Sequence, residues 1–272
     1  MSSPSHSHLP FADAIGVFDS GVGGLSVLRA IRAALPAENL VYVADSGHAP
    51  YGDKSEAHII ERTLTVGNWL AVSGVKAITV ACNTATVVAI RHLREQTHIP
   101  VVAIEPAIKP AANTTRTGVV GVLATTQTLQ SESVARLCLE HGEGKRILLQ
   151  ACPGWVEAVE EADLHSPQTE ALLRQFVVPL MDQGVDTLVL GCTHYPFLRN
   201  TLQRIVGDDD VVLIDPAVAV ATELTRRLGN DRLMDEQHIG TTRFFTTGDV
   251  LHVQQVVAHL WGGGALVEAM TQ

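Results

Sequence analysis

Gly74-Val75-Lys76-Ala77-Ile78-Thr79-Val80-Ala81-Cys82-Asn83-Thr84 is a short apolar, β-branched run that ends on a cysteine among small polar residues. The pattern returns as Gly184-Val185-Asp186-Thr187-Leu188-Val189-Leu190-Gly191-Cys192-Thr193-His194, where Gly, Val and Cys coincide and the apolar positions match in kind. Each run has the length and composition of a buried parallel strand. A second echo follows the same order: Val120-Gly121-Val122-Leu123 repeats Ile15-Gly16-Val17-Phe18 at nearly the same separation. Two echoes in register make an internal duplication. In open α/β sheets ligands sit beyond the carboxyl ends of the strands, and both cysteines fall there.

Working outward, apolar runs over 14–18, 40–44, 100–104, 118–123, 145–151, 211–214 and 243–246 read as further strands. Periodic segments over 25–34, 56–73, 85–96, 156–162, 167–181, 196–206, 216–228 and 249–261 read as helices, with Ser55 as an N-cap and Pro196 in a first turn. Strands alternating with helices predict an α/β fold: two pseudo-symmetric Rossmann-like domains with mainly parallel sheets and the active site in the cleft between them. Glu105-Pro106 and Asp215-Pro216 mark boundaries, giving a disordered extension over 1–12, a first domain from 13–104 plus 215–272, and a second from 105–214.

The 272 residues are 46% hydrophobic, ample for such cores, and only 4% aromatic, as expected where Ala, Val, Leu and Gly let helices pack closely on a sheet. A formal charge of −10 leaves no basic stripe, which argues against direct nucleic-acid binding. No apolar run approaches the about 20 residues that span a bilayer. The start of the chain, polar and carrying His6 and His8, lacks the apolar core of a signal peptide, so the expected location is cytoplasmic.

Cys82, Cys138, Cys152 and Cys192 show no C-x-x-C spacing and offer no zinc ligand set, so no metal is expected. Buried cysteines are often inert packing. Cys82 and Cys192, however, each precede a helix, whose N-terminal amides stabilise a thiolate. Two symmetric thiols suit a reaction that removes a proton from one face of a carbon and returns one to the other, each group within about 3 Å of the proton it moves. The α-proton of an amino acid is weakly acidic, so such a site must also hold the carboxylate on fixed donors and exclude water. Asp19 and Ser20 end the first strand; Asp19 can assist a thiol and meet an ammonium, with helix capping as the plainer role. His194 can act on the other side.

Gly21-Val22-Gly23-Gly24-Leu25-Ser26 supports a rival, since it nearly reproduces the dinucleotide fingerprint, with Asp45 placed for a ribose contact. Ser26 stands where the third glycine belongs, and the rival leaves the paired cysteines without work. A pyridoxal phosphate enzyme needs a Schiff-base lysine; Lys76 and Lys145 sit at strand starts, while Lys54 and Lys109 read as surface residues. No cofactor is expected.

Ile15–Leu25, Ala44-Asp45 with Pro50-Tyr51-Gly52, Ala81-Cys82-Asn83-Thr84-Ala85, Gly121–Thr125 and Leu190-Gly191-Cys192-Thr193-His194-Tyr195-Pro196 together resemble the glutamate racemases of the aspartate/glutamate racemase superfamily. The likeness spans nearly the whole chain after Ala14. It implies cofactor-independent interconversion of L- and D-glutamate, with Cys82 and Cys192 as acid/bases assisted by Asp19 and His194. It further implies substrate contacts from Asp19, Ser20, Tyr51, Gly52, Asn83, Thr84, Thr125, Thr193 and His194. A further assisting glutamate, placed by a Cys-Pro segment, falls on Glu160, with Glu157 and Glu161 close by; Trp155 stands where the pattern has Phe. Similar enzymes supply D-glutamate for peptidoglycan, and among them occur homodimers, activation by a cell-wall precursor, and binding to gyrase. None of those three follows from this sequence. A racemase of aspartate or another acidic amino acid, and a gyrase-regulating binding protein, are the alternatives.

Overall fold

The apolar runs become the strands of two parallel sheets in the computed structural model, which describes residues 9–207, 210–229, 232–235 and 237–271. The strands are β1 (Ile15–Asp19), β2 (Leu40–Ala44), β3 (Ala77–Val80), β4 (Val101–Ala103), β5 (Val119–Ala124), β6 (Arg146–Ala151), β7 (Thr187–Leu190), β8 (Val212–Ile214), β9 (Thr242–Thr246) and β10 (Val267–Ala269). One sheet has six strands in the order β10-β9-β2-β1-β3-β4, and the other has four in the order β6-β5-β7-β8.

The duplication is visible at the level of single residues. Gly16 lies opposite Ile78 and Phe18 opposite Val80 where β1 pairs with β3. Gly121 lies opposite Leu188 and Leu123 opposite Leu190 where β5 pairs with β7. These are the same positions that the two sequence echoes align. The order β2-β1-β3-β4 thus recurs as β6-β5-β7-β8. The C-terminal β9 and β10 enlarge only the first sheet, β9 pairing with β2.

Helices cover the sheets by the expected periodicity. In the helix Leu25–Ala34, Leu25, Val27, Leu28 and Ile31 are buried; burying each such leucine or isoleucine is worth roughly 1.5–3 kcal/mol. Ser55 caps the helix Glu56–Val72 by accepting from the His58 N–H. The largest apolar cluster runs from Leu28 and Tyr42 in one half to Trp155 and Leu190 in the other, so the halves share a core. No helix among the described residues is long and apolar enough to cross a membrane.

Several expectations need correction. Helices Ile108–Thr114, Thr126–Leu129 and Glu132–His141, and the short β10, carry no clear sequence signal. The helix expected from Pro196 opens instead as a 3₁₀ turn, Tyr195–Leu198, before the α-helix Arg199–Val206. The polar extension does not reach residue 12 as free chain: the Phe11 N–H donates to the Ser73 carbonyl at 3.0 Å, and its ring packs on Trp69 and Phe245. Residues 1–8, with His6 and His8, lie outside the described residues.

Candidate active site

The carboxyl ends of β1, β3, β5 and β7 converge on one small cavity. It is lined by Ser20, Pro50, Tyr51, Gly52, Cys82, Asn83, Thr84, Thr125, Val156, Cys192, Thr193 and His194, and encloses about 10 Å³, space for about one water. Residues from both sheets share these walls. Thr84 Oγ1 lies 3.0 Å from Thr125 Oγ1 and 3.3 Å from Thr128 Oγ1, closing a hydroxyl triangle between the halves. Gly52 faces Thr125 so closely that an added Cβ would sit 3.1 Å from the Thr125 Cβ.

Cys82 is the N-cap of the helix Asn83–Gln96, and its sulfur accepts from the Ala85 N–H at 3.4 Å. Ser20 Oγ stands 3.6 Å from the same sulfur. Burial pushes the Cys82 thiol well up, and the charge of Asp19 pushes it further; the Ala85 amide and Ser20 pull the other way. Asn83, next in the chain, has both side-chain polar atoms buried without a partner. Buried amides in proteins are nearly always bonded; Asn83 leaves a donor and an acceptor unpaired on the cavity wall.

Cys192 has a different neighbour. Its sulfur lies 3.7 Å from His194 Nδ1, and His194 Nε2 is 2.6 Å from Glu160 Oε1. Burial, the largest single influence on His194, lowers its pKa, but the Cys192 and Glu160 partners outweigh it and hold the imidazole well above its ordinary value. Its two ring nitrogens thus face Cys192 on one side and Glu160 on the other. Glu160 also accepts from the Val22 N–H of the other half at 2.8 Å. Glu157 and Glu161 are exposed, so the fold picks out Glu160.

Asp19 is buried behind the cavity rather than on its wall. Its Oδ2 accepts from the Gly24 N–H at 2.7 Å and from Thr193 Oγ1 at 3.3 Å, and its Oδ1 has no partner. Burial raises its pKa, opposed chiefly by His194. The glycine-rich loop has its own explanation here. A Cβ at Gly21 would strike the Glu160 carboxylate, and one at Gly23 the His194 ring. The loop is bare because site residues press on it, and Asp45 turns inward, fully buried, rather than toward a ribose. Among the described residues no group of three His, Cys, Asp or Glu side chains could hold a metal.

The sequence reading gave no site role to Pro50, Val156, Thr128 or the Val22 amide. Thr128 had a signal available, the Thr125-x-x-Thr128 spacing in which the Thr125 side chain caps the Thr128 N–H.

Comparison with known proteins adds an independent line. Residues 15–224 match the family model described as Asp/Glu/Hydantoin racemase. A glutamate racemase of Ectopseudomonas mendocina is 51% identical over 254 residues, covering 93% of this chain and 96% of that protein. The crystal structure of a Bacillus anthracis glutamate racemase superposes with a TM-score of 0.86 at 33% identity, covering 95% of this chain and 97% of the other. The Escherichia coli glutamate racemase, solved with L-glutamate and the activator UDP-MurNAc-Ala, gives 0.83 at 32% identity, over 95% and 98% of the two chains.

Proposed function

The chain belongs to the Asp/Glu/hydantoin racemase family, and we propose that it interconverts L- and D-glutamate by a two-thiol mechanism that needs no cofactor. The observation that carries this reading is the cavity whose walls include both Cys82 and Cys192, each at the carboxyl end of an equivalent strand. In one direction the Cys82 thiolate takes the Cα proton while Cys192 returns one to the opposite face; in the other direction the roles exchange.

Each thiol has its own assistance. Asp19, beside Cys82 and itself made a better proton acceptor by burial, draws the thiol proton away. His194, held by Glu160, steadies the charge on Cys192 and replaces its proton. Asn83, Thr84, Thr125, Thr193 and Ser20 supply the hydrogen bonds that fix the substrate carboxylates, and Tyr51 and Gly52 form the wall beside them. Fixed donors in a dry site are what a weakly acidic carbon requires. A glutamate is larger than the cavity, so the walls part to admit it and close to exclude water. In this reading 13–104 with 215–272 form one domain, 105–214 the other, and the reaction lies between them.

The E. coli neighbour's complex with L-glutamate and the 51% identity to a glutamate racemase favour glutamate over aspartate as substrate, and D-glutamate for peptidoglycan, made in the cytoplasm, as the purpose. Activation by a cell-wall precursor extends the E. coli case to this chain. The test is direct: purified, chelator-treated protein is given each enantiomer of glutamate and aspartate, with and without the precursor. Turnover of glutamate at least about 100-fold faster than aspartate, a difference of about 2.7 kcal/mol in transition-state binding, is expected. No turnover of glutamate under either condition would overturn the reading in favour of a binding protein, and preference for aspartate would reassign the substrate.

A further inference from the structure

Asp45 and Arg62 form a buried ion pair that no step of the proposed reaction uses. Arg62 reaches Asp45 with both arms of its fork, Nε to Oδ2 at 3.0 Å and Nη2 to Oδ1 at 2.9 Å. The two remaining acceptor positions are filled as well: Tyr51 OH donates to Oδ2 at 2.6 Å and Thr247 Oγ1 to Oδ1 at 2.7 Å. The Asp45 N–H in turn donates to the Asp19 carbonyl at 3.0 Å. The carboxylate thus ties together the turn after β9, the helix Glu56–Val72 and the cavity wall, and the Asp45 main chain joins them to the end of β1.

Tyr51 is the member of this set that faces the cavity, and Gly52 beside it lies against Thr125 of the other half. Arg62 lines no part of the cavity among the described residues. Its bidentate geometry is specific in direction as well as charge, and a buried carboxylate stripped of such a partner is strongly destabilised. Packing buries the Tyr51 ring, and its hydroxyl adds a directional tie to a carboxylate held by three further side-chain hydrogen bonds.

We propose that Arg62 is a positioning residue for substrate binding: through Asp45 it fixes Tyr51 and the Pro50–Gly52 turn as the wall that glutamate closes against. The proposal rests on the two-thiol reading for the identity of the substrate, and it concerns binding rather than proton transfer. Thr247 contributes from the opposite side of Asp45 and makes the C-terminal addition to the first sheet part of the same support.

Interactions equal in ground and transition states appear in KM and leave kcat in place. Arg62→Lys keeps the charge and loses the fork; Arg62→Gln loses both; Thr247→Val removes one donor outside the cavity lining. Steady-state kinetics with both enantiomers are compared with far-UV circular dichroism and thermal midpoints for each variant. For Arg62→Gln, KM is expected to rise about tenfold for L- and D-glutamate alike, with kcat changed less than about threefold. Arg62→Lys is expected to fall between it and the wild type, and Thr247→Val to raise KM by about two- to threefold. If Arg62→Gln fails to fold, Arg62→Lys and Thr247→Val carry the same test. Unchanged KM in folded variants, or a loss confined to kcat, overturns the proposal. A wild type that does not racemise glutamate overturns the functional reading instead, so the two failures are distinct.

Discussion

The two strand ends that carry Cys82 and Cys192 share a register residue for residue, yet their surroundings differ. At Cys82 the sulfur caps a long α-helix and accepts from the Ala85 N–H, with Ser20 as its side-chain neighbour. At Cys192 the chain enters a 3₁₀ turn instead, and the sulfur meets an imidazole backed by a carboxylate. Backbone duplication places two like groups symmetrically; their surroundings then give one a helix terminus and a nearby carboxylate and the other an imidazole held by Glu160. The lesson is that the fold supplies the pair, while the neighbours set what each member does.

Substitutions can separate those contributions. Removing either sulfur, as Cys82→Ala or Cys192→Ala, is expected to reduce racemisation by about 10³-fold or more, within the range of a lost general acid/base. His194→Asn is expected to cost about 100-fold in kcat/KM, by the same factor in both directions because the two enantiomers are equal in free energy. Glu160→Gln leaves the ring in place and weakens only its support, so about tenfold is expected. Kinetics in both directions check the series. A His194→Asn loss below about threefold would break the assignment of His194 to the reaction.

A smaller effect lies in stability. The folded pKa of His194 stands well above its ordinary value of 6.5. Its contribution is therefore fully present below that value and lost as pH rises through the folded pKa. Urea unfolding of the wild type should accordingly show a decline across that window that is shallower in Glu160→Gln, where one of the two raising partners is gone. Parallel pH profiles would show that the pair does not stabilise the charged ring.

Much of this was legible in the sequence for a physical reason. Buried parallel strands must be apolar on both faces, so β3 and β7 stand out as runs, and the cysteines stand at their ends. The Gly-rich loop was legible as a motif and misleading as a meaning: its glycines answer to His194 and Glu160, which only folding brings there. Glu160 could not be chosen over Glu157 and Glu161 because the choice depends on which face of the helix Trp155–Glu160 meets His194. Helices Thr126–Leu129 and Glu132–His141 begin in a polar stretch whose burial is slight, so no apolar period announced them. Arg62 gave no signal at all, since its partner Asp45 precedes the helix that carries it and the pair forms only on packing.

The most direct test of two opposed thiols is the origin of the hydrogen that enters the product. Wild-type protein is given one enantiomer of glutamate in deuterium oxide, and at low conversion the Cα isotope of product and of remaining substrate is read by NMR or mass spectrometry. Two acid/bases on opposite faces require product that carries deuterium from its first turnover, delivered by a thiol already exchanged with solvent, while the unreacted substrate stays largely protiated. Product that keeps its original Cα hydrogen would mean that a single group takes and returns the proton, and would contradict the mechanism.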